Sequence, residues 1–244
     1  PGDGLSTRGR PAPVPSGRGI RPSSLPLPVK MIFRSREDAG LKLANLLQTQ
    51  AVQADLVLGL PRGGVIVAAQ VAQALRRPLG VITVRKIGHP WNREFAVGAL
   101  AEGDITLLDE RAVGPNPRVR AELAAVLEEE KERLRACQAQ FHPEGAPVLA
   151  GKAVLLVDDG LATGATTEAA VLSAKARKAG FIVVAAPVAS SGAVNRFAQV
   201  ADEVRVLHVA PDFAAVGQYY ESFAQNTDEE VLAVLRAATQ AHPR

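Results

Sequence analysis

Five short apolar runs alternate along this chain with stretches of helical periodicity. They are 55–61 (DLVLGLP), 78–86 (PLGVITVRK), 152–158 (KAVLLVD), 180–189 (GFIVVAAPVA) and 202–210 (DEVRVLHVA). Each is too short for a buried helix, and 78–86 is rich in β-branched residues, so each is expected to be a buried strand. Between and around them, 36–50, 62–77, 118–141, the small-residue stretch up to about Lys178, 192–201 and 227–240 are expected to be helices. Strand–helix alternation implies βαβ units, right-handed crossovers and a parallel sheet. The expected fold is α/β, an open, mostly parallel five-stranded sheet with helices on both faces.

Two segments break this rhythm. Residues 87–116 carry Gly88, Pro90, Gly98, Gly103, Gly114 and Pro115 around short apolar pieces, and are expected to form a lid-like excursion with a small hairpin. Residues 1–30 are proline-rich and nearly free of large apolar side chains, so they are expected to be a disordered Pro/Arg-rich extension, with Met31, the single methionine, as the natural start. Residues 31–244 then form the folded domain, closed by a C-terminal segment over about 211–240.

The net charge of +3 hints at a polyanion partner. The excess is local, however. Residues 1–30 hold Arg8, Arg10, Arg18, Arg21 and Lys30 against Asp3, which leaves the rest close to neutral. A nucleic-acid partner is therefore not expected. No apolar run reaches the length of a membrane span. One cysteine, Cys137, excludes an internal disulfide framework and fits a reducing, cytoplasmic setting. His89, His142, His208 and His242 show no spacing for a metal site.

The chemistry concentrates in VLLVDDGLATGATTEAA, residues 154–170. Asp158 and Asp159 end a buried strand, where ligands bind in open α/β sheets. Gly160, Leu161, Ala162, Thr163, Gly164, Ala165, Thr166 and Thr167 follow and open a helix. Small residues let backbone N–H groups approach an anion, and a helix N-terminus favours a phosphate. The pattern is neither a Walker loop nor a dinucleotide fingerprint. Two acids beside a phosphate cup suit a phosphosugar with free hydroxyls, and Mg²⁺ sharing the carboxylate charge makes the pair tolerable.

This stretch resembles the PRPP-binding motif of type I phosphoribosyltransferases, and LGLPRGG, 58–64, resembles the pyrophosphate loop of the same family. The chain as a whole resembles a bacterial branch with no assigned acceptor. The resemblance implies transfer of ribose 5-phosphate from phosphoribosyl pyrophosphate (PRPP) to a nitrogenous acceptor, with release of pyrophosphate and dependence on Mg²⁺. It implies that Asp158 and Asp159 hold the ribose hydroxyls and face the metal indirectly, and that residues 160–167 hold the 5-phosphate. Leu60, Pro61, Arg62 and Gly63, with Arg85 and Lys86 projecting from the second strand, would hold pyrophosphate. Any general base would come from Glu94 or Glu102 in the lid, or be unnecessary, and Phe213, Tyr219 or Tyr220 would stack on a base. Dimers are common on this fold. The alternative is a non-catalytic regulator that binds PRPP or a nucleotide. In the 6-oxopurine branch an acid precedes the Thr-Gly of the cup; here Ala162 stands there, as in the adenine and uracil branches.

Overall fold

A computed structural model of the chain describes residues 31–241. The expected N-terminal extension, 1–30, lies outside the described residues. The elements run α1 (Arg36–Thr49), β1 (Leu56–Gly59), α2 (Gly63–Leu75), β2 (Leu79–Val81), β3 (Val84–His89), β4 (Asn92–Ala101) and β5 (Ile105–Leu108). They continue with α3 (Glu110–Val113), α4 (Pro117–Phe141), β6 (Ala153–Val157), α5 (Ala165–Ala176), β7 (Phe181–Ser190), α6 (Ser191–Phe197), β8 (Glu203–Ala210), a short 3₁₀ turn (Val216–Tyr219) and α7 (Asp228–Ala241).

The main sheet has five strands, all parallel, in the order β2-β1-β6-β7-β8. Alternation along each strand divides its apolar residues between two faces. Val57, Leu155, Val157 and Val183 pack with Leu43, Leu47, Val67 and Val71 from α1 and α2. Leu58, Leu156 and Val184 pack with Ala170, Val171 and Ala174 of α5 and with Phe197 of α6. Both faces are covered, which is why the strands are uniformly apolar.

The run 78–86 does not form one strand. Its first part pairs with β1 and stops at Val81, opposite Gly59, where β1 itself ends. Beyond that point there is no neighbour to pair with, and the chain leaves the sheet. Its second part becomes β3 of a separate antiparallel sheet, β3-β4-β5. The small hairpin expected within 87–116 is therefore a three-stranded hood. It has its own core, in which Ile87, Val97 and Leu100 pack with Val119, Leu123, Val126 and Leu134 of α4. That helix begins as its sequence implies, with Asn116 capping the Arg118 N–H at 3.0 Å and Pro117 in the first turn.

Glu102 joins the hood to the body, and this corrects its expected role as a general base. It is 3% exposed. Its carboxylate accepts from the Thr83 N–H (2.7 Å) and hydroxyl (2.8 Å), pairs with Arg177 at the end of α5 (2.6 Å), and meets His142 at 2.8 Å. Burial opposes its charge, but the hydrogen bonds from His142 and Thr83 hold the carboxyl below its ordinary range. Both carboxylate oxygens are engaged by the protein interior, so neither is offered to a ligand.

Removing one partner of a buried ion pair leaves the other charge uncompensated. Glu102→Ala is expected to lower unfolding stability by about 3–5 kcal/mol, read from urea denaturation. A loss below about 0.5 kcal/mol, as at an ordinary surface site, would return Glu102 to the lid acids.

Candidate active site

The centre of the sheet ends in the two acids. Asp158 continues β6, its N–H donating to Ala185 O at 3.2 Å. Successive residues of extended chain point to opposite faces. Asp158 therefore turns toward α5, where its Oδ2 accepts from the Thr167 hydroxyl at 3.1 Å, while its Oδ1 accepts the Asp159 N–H at 2.9 Å. Asp159 turns toward α1, where its Oδ2 accepts from Arg36 Nε at 2.8 Å. The like charges are thus adjacent in sequence but served by different partners.

Their environments still conflict with two full charges. Burial first, and then the neighbouring Asp159 charge, push Asp158 up to about 7. The charge of Lys86, an exposed residue of β3, acts weakly in the opposite direction on Asp158. Burial also raises Asp159, against the hydrogen bond and charge of Arg36.

The segment after the acids extends the sheet before it turns into α5. Leu161 N–H donates to Val188 O, and Ser190 N–H donates back to Leu161 O, both at 2.9 Å. The Ser190 hydroxyl donates to the Ala162 carbonyl at 2.7 Å. With loop carbonyls held by the sheet, the opening N–H groups of α5 are left as an anion-binding end. Gly164 makes the turn at φ +81°. A Cβ there would lie 2.6 Å from Phe197 Cζ, so this glycine serves core packing beneath the cup. Thr163 is exposed and Thr166 half-buried at the mouth. Arg196 reaches the rim from α6, donating to Thr163 O at 3.3 Å and pairing with Glu168 at 3.4 Å.

The loop Leu60-Pro61-Arg62-Gly63-Gly64 presses against the acids from the other side. A Cβ on Gly64 would stand 2.8 Å from Val157 O and 3.0 Å from Asp158 Oδ1, and one on Gly63 would overlap Asp159 Oδ2. Only glycine fits between this loop and the carboxylates. The Pro61–Arg62 peptide is cis.

A strand-end acid pair, a cup at a helix N-terminus and a glycine loop thus converge beyond the carboxyl ends of the central strands of a parallel sheet. The model of the Phosphoribosyl transferase domain matches residues 32–220. The chain belongs to the phosphoribosyl transferase family. Curated relatives from two Mycobacterium tuberculosis strains, "Putative phosphoribosyl transferase Rv0571c" (strain H37Rv) and the same-named MT0597 (strain CDC 1551), are each 41% identical over 208 residues, 85% of this chain. The chain spans about half the length of those relatives, 47%. The crystal structure of TT1426 from Thermus thermophilus is similar at 43% identity and a TM-score of 0.69, over 84% of this chain and 98% of that one.

Within this family frame several expected site residues sit elsewhere. Arg85 is not on the main sheet. It lies on β3 and pairs with Glu130 of α4 at 3.0 Å, because its neighbour Lys86 takes the opposite face. Thr167 spends its hydroxyl on Asp158 and is buried, so it supports the acid pair and does not line the cup. Leu161 contributes backbone alone, since its side chain is buried. Arg62 is exposed and pairs with Asp228 at 2.7 Å. Glu94 lies exposed on the outer half of β4, five residues from Ala99, the partner of Lys86, or roughly 16 Å along the strand.

Tyr219 and Tyr220 are not free to stack on a base. Both are buried. Tyr219 packs against Phe213, centroids 5.4 Å apart, and against His208. Tyr220 donates its hydroxyl to Asp159 O at 2.6 Å. Phe213 is half-buried.

Arg36 joins the site without being singled out by any motif, although the sequence carries one signal of it. It is a cation in the first turn of a helix, between the Ser35 cap and Glu37–Asp38, where the dipole favours acids.

The raised Asp158 sets a pH dependence whose sign is fixed. Between about pH 4 and pH 7 the folded state keeps a proton on Asp158 that the unfolded chain has released, so stability falls as pH rises through this window. Asp158→Asn removes that slope. The stability of the variant relative to the parent is expected to grow between about pH 4 and 7, by up to about 4 kcal/mol, in urea titrations of the ligand-free protein. A difference that stays constant with pH would show that Asp158 ionises normally.

Proposed function

We propose that this chain transfers ribose 5-phosphate from PRPP to a nitrogenous acceptor, a nucleobase in the simplest case, and releases pyrophosphate with the help of Mg²⁺. The observation that carries the reading is the convergence of Asp158–Asp159 with the 160–166 cup and the 60–64 loop. One anion site lies on each side of a hydroxyl-binding acid pair. A sugar with phosphate at one end and diphosphate at the other matches that spacing of chemistry.

In the proposed reaction the bond from C1 to the pyrophosphate oxygen breaks and a bond from C1 to the acceptor nitrogen forms, through an oxocarbenium-like state. The 160–166 N–H groups with Thr163 and Thr166 would hold the 5-phosphate. Asp158 and Asp159 would accept from the ribose hydroxyls, and their charge would stabilise the cationic sugar. Backbone N–H groups of the 60–64 loop would receive pyrophosphate, with Arg62 available by exchanging Asp228 for the substrate and Lys86 as a further candidate cation. The β3–β5 hood would exclude water, as lids do.

Among the described residues no group of three or more His, Cys, Asp or Glu could hold a metal ion. Two half-buried acids beside a diphosphate site fit an ion that arrives with the substrate, held through ribose hydroxyls or water. When bound it would neutralise the departing pyrophosphate. Neither Glu102 nor Glu94 is placed to take the acceptor's proton, so the reading favours acceptors that attack as anions. Among the described residues no helix is long and apolar enough to cross a membrane.

Pyrophosphate release from PRPP with a panel of bases tests the reading. Asp159→Asn is expected to lower turnover by about 10²-fold or more, since an amide cannot balance the developing charge. Uptake of PRPP without pyrophosphate release under any acceptor would make the chain a binding protein on an enzyme fold.

The acceptor choice follows from Ala162, which has no proton to exchange with a purine N7. Hypoxanthine and guanine are expected to be poor acceptors, with kcat/KM below about 10⁴ M⁻¹s⁻¹, the lower end of usual enzyme efficiency. Steady-state rates with common purines and pyrimidines check this, and efficient use of either oxopurine would contradict it.

A further inference from the structure

Arg36 occupies a position where a cation is least favoured, at the positive end of the α1 dipole. Yet it is 9% exposed. Three contacts hold the guanidinium. Its Nε donates to Asp159 Oδ2 at 2.8 Å, its Nη1 donates to Ala224 O at 2.7 Å, and its plane lies over the Phe223 ring, 4.0 Å from the centroid. Tyr220 closes the circuit, with its hydroxyl on Asp159 O and its centroid 6.0 Å from Arg36. The segment carrying these groups is itself tied to the residues before α1. Phe33 N–H donates to Tyr219 O and Glu221 N–H donates to Phe33 O, both at 2.8 Å.

The 60–64 loop meets the same ion pair. A Cβ at Gly63 would overlap both Asp159 Oδ2 and Arg36 Nε. One guanidinium therefore touches the start of α1, an acid of the sugar site, the anion loop and the C-terminal segment.

We propose that Arg36 is a positioning residue: it holds the Asp159 carboxylate in one orientation and couples it to the 220–224 segment, so that order in that segment and binding of the sugar diphosphate are linked. The proposal rests on the reading of the acid pair as a sugar site given above. With Oδ2 committed to Arg36, Oδ1 is the oxygen left to accept from a ligand hydroxyl. The role needs arginine. A lysine supplies the charge but neither the second directed N–H nor the flat face that lies on Phe223.

The test compares Arg36→Gln, Arg36→Lys and Phe223→Ala with the parent protein, after melting curves confirm folding. PRPP binding is measured by calorimetry, inorganic phosphate probes the cup alone, and hydrogen exchange follows the 220–224 amides. Arg36→Gln is expected to weaken PRPP binding about tenfold or more, the scale of a lost charged hydrogen bond, while phosphate binding stays within about twofold. Its 220–224 amides should exchange faster, also by about tenfold. Arg36→Lys should fall between. Phe223→Ala, at a ring already 37% exposed, should speed exchange in the segment and leave phosphate binding unchanged.

Unaltered protection of 220–224 in Arg36→Gln overturns the coupling. An equal loss of phosphate and PRPP binding overturns it too, because a positioning role for Asp159 spares the cup. If the parent protein takes up no PRPP, the functional reading fails, and the exchange data alone decide the coupling. If Arg36→Gln does not fold, Arg36→Lys and Phe223→Ala carry the same comparison.

Discussion

Two carboxylates in sequence at the end of a buried strand are tolerable because extended backbone sends them to opposite faces of the sheet. That one geometric fact organises the site. Asp158 is left with a hydroxyl partner, Thr167, and Asp159 with a cation, Arg36. Burial raises both acids, but the surroundings differ: Asp158 is pushed up to about 7, while at Asp159 the Arg36 cation opposes the rise. Pairs of acids in unlike surroundings are how a single fold separates chemical roles. The glycines of the 60–64 loop follow from the same crowding, since their missing side chains are the space in which the carboxylates stand.

The main sheet is legible in the sequence because its signal is local and redundant. Each strand is a short apolar run, each helix has its own periodicity, and alternation of the two leaves few topologies. The hood is less legible. Residues 78–86 read as one strand because β-branched residues continue without a break through Val81, Ile82, Thr83 and Val84. What divides them is not in the run itself. It is the end of β1 at Gly59, which removes the pairing partner, and the Glu102 carboxylate at the end of the adjoining strand β4, which takes Thr83.

The site divides in the same way. Asp158, Asp159, the cup and the glycine loop are contiguous motifs, and sequence order is enough to place them. Residues that reach the site through tertiary contact escape such a reading. Arg85 and Lys86 are neighbours, and alternation on β3 gives Arg85 to Glu130 and leaves Lys86 exposed on the other face. Glu102 resembles a lid acid because its segment is rich in glycine, but burial with Arg177 and His142 makes it a joint. Tyr219 and Tyr220 carry the aromatic surface expected of a base platform, yet aromatics more often fill cores, and these two do.

The joint at Glu102 bears on how the hood could work. It sits where β4 ends, beside the residue at which the chain leaves the main sheet, and it is anchored on α5, the helix whose N-terminus forms the cup. The base of the hood is thus fixed to the far end of α5, while Trp91 and Phe95 stand exposed near its tip. The hood is therefore held at both ends, by α5 at its base and by α4 toward its tip, where Trp91 Nε1 donates to Glu122 at 2.8 Å. The hood and the loop after the acids thus share one helix: Arg177 at the end of α5 holds the joint, and Gly164 at its start opens beside the residues that contact Asp158.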